Sequence, residues 1–217
     1  MRKIILAIFT VSMFVCSANA QIKKGSIFLG GDISGSTQKT KSNDVTTYKQ
    51  NGINISPVFG KAIKENLVLG VNAGFGIYKN EYPAGGNTNF KTSSYNAGAF
   101  LRKYKNIGTS GFYLFVQGGL GGSYMTQKQE GPFTPVFDEL KRISVGINAY
   151  PGLSYAVSRK LHLETGFNNL LSLYYFHDKR ETGNPGSISK TNGFSVASSL
   201  NNATSSLYLG FRLLIGK

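Results

Sequence analysis

The chain has 217 residues, 27 glycines, no tryptophan and one cysteine, which makes it one domain's length and too glycine-rich for a helical protein. Its formal charge of +14 accompanies no interleaved basic and aromatic motif, so the cations point to an anionic surface and not to nucleic acid. Beyond the N-terminus no apolar run is long enough for a spanning helix.

The first stretch, "MRKIILAIFTVSMFVCSANAQ", has Arg2 and Lys3, an apolar run from Ile4 to Val15 and a small-residue cleavage site at Ala18-Asn19-Ala20, the pattern of an export signal. Residues 1–20 are therefore read as a signal peptide and 21–217 as the mature domain. Cutting after Ala20 removes Cys16, so the mature chain has no thiol chemistry and needs no disulfide on its way through an oxidising compartment. Without Arg2 and Lys3 the mature charge is +12.

Eight segments follow in which apolar residues alternate with small or polar ones, the period of a strand with two unlike faces. They run approximately over 26–36, 52–60, 67–78, 93–102, 112–125, 143–156, 161–175 and 204–216. Most reach the roughly 9 to 11 residues that a tilted strand needs to cross a bilayer. Short turns at 61–66, 103–111 and 157–160 alternate with long polar connections at 37–51, 79–92, 126–142 and 176–203. In the last of these, 193–200 reads equally as an outward extension of the eighth strand. Pro57 and Pro151 lie within strands just before short turns, where a bulge is expected to absorb the missing donor.

Which face looks inward is decided by the charges. Within the eight segments only Asp32, Arg102, Glu164 and Arg212 are charged, each on the face opposite the large aliphatics. A water-soluble barrel would show the reverse. The apolar face is therefore expected to meet lipid, and Tyr95, Tyr124 and Tyr175 near the long connections and Phe59, Phe112 and Tyr155 near the short turns fall on it as two interfacial belts. The expected fold is all-β, an eight-stranded antiparallel up-and-down transmembrane barrel, with the short turns and both termini periplasmic.

The stretches "SIFLGGDISGS", "AGAFLRKY", "YLFVQGGLGGSY", "YPGLSYAVSRKLHLETGF" and "LYLGFRLLIGK" together resemble the small, porin-like outer-membrane β-barrel family of Gram-negative bacteria typified by OmpX and the OmpA barrel domain. The resemblance spans almost the whole mature chain as a pattern, and it implies an outer-membrane location and insertion by the barrel assembly machinery. Many such barrels end on an aromatic residue, whereas this chain ends Gly216-Lys217.

A lumen of eight strands is just wide enough to be filled by side chains. Phe28, Phe100, Tyr113, Phe115, Tyr150 and Tyr174 point inward by parity, and Asp32, Arg102, Glu164 and Arg212 are read as an interior charge network, with Glu164 and Arg212 as cross-strand neighbours. Catalysis needs a nucleophile or a metal with a positioned partner. His162 is placed inward beside Glu164, and His177 stands at an outer connection beside Asp178 with no serine fixed near it. No catalytic residue, cofactor or metal ligand is assigned. The outer connections carry Lys79, Lys91, Lys141 and Arg142 as contacts for an anionic surface, the expected partners being outer-membrane lipids, lipopolysaccharide among them. The expected role is a non-enzymatic envelope scaffold or surface-binding protein. Its alternatives are a narrow pore, a rim enzyme that modifies lipid, and a soluble secreted ligand-binding barrel.

Overall fold

The computed structural model describes residues 22–83, 88–130, 138–167, 170–183, 187–198 and 207–216. The expected leader and cleavage site, with Cys16, lie outside the described residues. Ten strands form one antiparallel sheet: β1 (Ile27–Ser42), β2 (Val45–Lys64), β3 (Leu67–Tyr82), β4 (Thr88–Asn106), β5 (Phe112–Glu130), β6 (Asp138–Ala156), β7 (Leu161–Phe167), β8 (Leu171–Thr182), β9 (Ser187–Ser198) and β10 (Leu207–Ile215). They amount to eight barrel staves. β7 and β8 both pair with β6 and make up the seventh stave. β9 pairs with β8 and β10 with β7 to make the eighth. The barrel closes where β10 pairs with β1, from Ile27 opposite Ile215 to Ile33 opposite Leu209.

Alternation sets the radial direction of every side chain. On β5, Leu114, Val116 and Leu120 are exposed, while Tyr113, Phe115 and Gln117 are buried. The same inversion, with aliphatics outside and polar or aromatic groups inside, holds around the sheet, and a band of bare aliphatics of this kind is stable only against lipid. Outward aromatics form ring contacts at both ends of the band: Phe75 with Tyr95 at 5.3 Å and Tyr175 with Phe194 at 5.2 Å at one end, Phe112 with Tyr155 at 4.6 Å at the other.

The staves are longer than the hydropathy suggests. Residues 37–51, expected as a loop, are almost wholly strand, and β1 turns into β2 through Asn43 and Asp44 alone, at φ of 49° and 60°. That is the left-handed pair a tight two-residue hairpin requires, and Asn and Asp tolerate it. The described parts of the connections expected at 79–92, 126–142 and 176–203 are likewise largely strand, and 193–198 does extend the eighth stave as β9. The two prolines behave differently. Around Pro57 the pairing with β1 is continuous, and that with β3 skips Ser56 and Pro57 but resumes in the same frame, so the expected bulge is absent; register shifts fall instead between Thr40 and Lys41 against β1 and between Ala62 and Lys64 against β3. Pro151 coincides with the interruption of the seventh stave, since β6 pairs with β8 as far as Ala149 opposite Leu171 and with β7 from Gly152 opposite Gly166. A missing N–H at that point leaves one fewer bond to hold the stave continuous.

Candidate functional site

The lumen divides into a packed half and an open half. Near the short turns it is filled. Phe28, Phe100, Tyr104, Tyr113, Phe115 and Tyr208 are each at most 3% exposed, and Ile22 closes the end, with its backbone held by Asn66. The wall is thinned to admit the rings: a Cβ at Gly152 would overlap the Phe115 ring and stand 2.7 Å from the Thr165 carbonyl oxygen.

Inside this packing lies the charge network. Glu164 is the shared anion. Its Oε2 is 2.5 Å from Arg102 Nη1 and 3.1 Å from Arg212 Nε, and its Oε1 accepts the Tyr104 hydroxyl at 2.5 Å. Arg212 reaches Asp32 with Nη2 and donates through Nη1 to the carbonyls of Gly31 and Phe211 at 2.8 and 2.9 Å. Arg102 donates through Nε to Gln117 Oε1 at 2.7 Å, and its guanidinium lies 4.4 Å from the centre of the Phe115 ring. The four charges sum to zero, and each guanidinium meets an anion, a neutral acceptor and an aromatic face, as a desolvated ion cluster must.

All four residues expected in the interior therefore meet, although Glu164 stands opposite Gly210 and reaches Arg212 diagonally, because Arg212 is paired with His162. Tyr104, Gln117 and Tyr208 belong to the same packing and were not anticipated. Tyr104 falls within the residues read as a short turn, and the alternation of Phe100, Arg102 and Tyr104 on one parity was the signal for it. His162 is buried beside Ser154, whose Oγ lies 3.2 Å from its Nδ1, and stacks on Tyr113.

Beyond Arg102 and Asp32 the lumen opens into a well of about 700 Å³, lined by short polar groups such as Ser34, Asn54, Asn96, Ser123, Ser144 and Asn148. Its floor is the charge network, so the well is a dead end. Its wall has a seam. Above Ile33, β1 pairs with β2 alone among the described residues, and β9 with β8 alone. Phe194 and Val196 on that edge are 79% and 81% exposed, more than any other large apolar side chain among the described residues.

At the open end, Arg142 and Lys141 point to opposite sides. Arg142 faces the mouth of the well, donates to both Asp178 oxygens at 2.6 and 2.7 Å and stacks over Phe176. These hydrogen bonds hold the Asp178 carboxyl below its ordinary range. Lys79, Lys91 and Lys141 lie on the outward face, away from Arg142. His177 is also outward, its Nδ1 2.5 Å from Asn192 Oδ1. Among the described residues no cluster of three His, Cys, Asp or Glu side chains is placed to hold a metal ion.

An up-and-down barrel with a lipid-compatible exterior and a lumen sealed by side chains over one half defines the class, the small outer-membrane type of β-barrel. No family model and no curated protein matches the chain. Among solved structures, a major outer membrane protein from Thermus thermophilus superposes with a TM-score of 0.50 at 12% identity, over 88% of this chain and 99% of that one. Neisserial surface protein A aligns at 18% identity over 88% and 99% of the two chains, with a TM-score of 0.39. The translocator domain of the autotransporter NalP from Neisseria meningitidis aligns at 16% identity over 80% of this chain and 59% of its own, with a TM-score of 0.41. At these identities the likeness is one of fold.

Proposed function

We propose that the protein resides in the outer membrane as a non-conducting, non-enzymatic scaffold, delivered by its leader and inserted with the short turns and both termini in the periplasm. On this reading the lumen carries no solute and the strand extensions beyond the membrane are the working surface. One observation carries it: the packed half is sealed by large side chains and by two guanidiniums bound to a common carboxylate, with Arg102 and Arg212 both at most 1% exposed. A pore would need those groups to face water and leave a continuous path; here each has a protein partner. The long paired staves at the other end are more structure than anchoring alone requires. The protein would be refolded into planar bilayers and the current recorded. Silence at moderate voltage is the expected result, with the heat-modifiable gel mobility of a folded barrel as the control for insertion. Reproducible ohmic steps from the wild-type chain would overturn the non-conducting reading.

A further inference from the structure

On three adjacent strands, Lys79 of β3, Lys91 of β4 and Lys128 of β5 are directly opposite one another in register. A second row repeats the arrangement, with Lys141 of β6 opposite Lys179 of β8 and Lys179 opposite Lys190 of β9. All six share the outward parity of the lipid-facing residues. Like charges directly opposite in a sheet repel, so an isolated protein has no reason of stability to stack lysines three abreast, twice.

Their height supplies a reason. The first row lies four residues beyond the paired aromatics Phe75, Tyr95 and Tyr124, and the second lies four residues beyond Tyr175 and Phe194. Four strand residues span about 13 Å, less once the stave is tilted, and a lysine stem reaches back toward the interface. The ammonium groups thus stand at the headgroups, just above the aromatic girdle. Nearby acids answer only part of the charge. Glu81 is shared between Lys49 and Lys79, Glu139 between Lys128 and Lys141, and Glu181 meets Lys179. Among the described residues no carboxylate lies within ion-pair distance of Lys91 or Lys190. The middle of the first row and the end of the second are therefore open to anions.

We propose that these two lysine rows are a docking surface for the phosphate-bearing headgroups of the surrounding outer-leaflet lipid, with Lys91 at the centre of the stronger site. The proposal rests on the membrane reading above and assigns that surface its ligand. The shared glutamates fix the lysines in place without neutralising them. Arg142, on the lumen side and taken up by Asp178, is not part of the surface.

The test uses the mature protein folded in micelles of a neutral detergent carrying either phosphatidic acid or phosphatidylcholine. Bound lipid is counted by native mass spectrometry at about 50 mM and about 300 mM salt, on either side of the range where screening becomes strong. Heat-modifiable gel mobility reports the fold separately, so loss of the barrel is not confused with loss of the lipid site. The parent should prefer phosphatidic acid at least tenfold at low salt, and the preference should fall at high salt. Each lysine near an anionic lipid surface is worth about fivefold, so the Lys79→Gln/Lys91→Gln/Lys128→Gln variant should lose most of the preference. A matching Lys→Arg variant should keep it, and Arg159→Gln/Lys160→Gln in a short turn should change it little. Inorganic phosphate at the same phosphate concentration should not displace the lipid. A triple Gln variant that folds and keeps the parent's preference overturns the proposal, as does displacement by free phosphate, which would make the surface a soluble-anion site. If the triple variant does not fold, Lys91→Gln alone decides, and an unchanged preference there is equally fatal.

Discussion

The two halves of the lumen are built from the same staves and solve opposite problems. The half near the short turns buries two arginines, a glutamate and seven aromatic rings, while the other encloses a well of about 700 Å³ walled by serines and asparagines. The difference lies in side-chain volume at the inward parity, since the backbone pairing continues through both for β1 to β6. Rigidity follows volume. A rupture in the packed half leaves buried charge or ring without a partner, whereas the same change in the open half meets water.

The sharpest way to break the contrast is Glu164→Ala. It leaves Arg102 in a dry interior without an anion and Arg212 with Asp32 alone, which costs about 3 to 5 kcal/mol, whereas Glu81→Ala at the rim should cost about 1 kcal/mol or less. Urea unfolding midpoints in micelles compare them, and equal midpoints would mean that water reaches the network. Next in size is Gly152→Ala. The new methyl has no room beside the buried Phe115 ring and the Thr165 carbonyl, and overpacking of this kind costs about 1 to 3 kcal/mol. Ser34→Ala in the wall of the well, where a small polar group faces open space, should fall within about 0.5 kcal/mol of the parent. Thermal denaturation of the pair, monitored by circular dichroism, is sufficient.

The smallest effect sits at the mouth of the well. The Asp178 carboxyl is held below its usual range chiefly by the hydrogen bonds from Arg142. A depressed folded value means that the stabilisation is present above the ordinary carboxylate range and is lost as pH falls through the lower one. The rim should therefore stay closed down to about pH 4 and loosen below it. Arg142→Gln should move the Asp178 titration upward, followed by carbon-13 NMR of the carboxyl, with little change in global stability. A titration unmoved by that substitution would remove Arg142 as the cause.

The sequence made one end of this contrast legible and hid the other. Asp32, Arg102, Glu164 and Arg212 stood out because a charge on an alternating stave has only two faces to choose from, and all four chose the same one. Parity likewise placed Phe28, Phe100, Phe115 and Tyr150 inside. It could not show that Glu164 would serve both arginines at once, because that depends on the stagger that sets it opposite Gly210. The strand extensions look like loops in the sequence for a definite reason. Outside the hydrocarbon both faces of a strand are polar, so the alternation in "TQKTKS" or "FDELKR" carries no hydropathy signal. With it vanished the cross-strand register that sets Lys79, Lys91 and Lys128 side by side. Arg142 and Lys141, adjacent in sequence and grouped together as cations, part company because adjacent strand residues face opposite ways.

The closing seam bears on time as well as space. Every pairing from β1 through β6 joins strands that are neighbours in the chain, and these hairpins form at modest entropic cost. The β1–β10 pairing brings Ile27 to Ile215, which nearly spans the chain, so its loop-closure cost is recovered only once the intervening staves are in place. Closure is then the last step of assembly and its reversal the first step of opening. Among the described residues, seven residue pairs, from Ile27 opposite Ile215 to Ile33 opposite Leu209, act as the latch. Distance probes across Gly31 and Phe211 should report later during refolding than probes across Ala97 and Gly122, and simultaneous signals would show that the barrel forms in one concerted event.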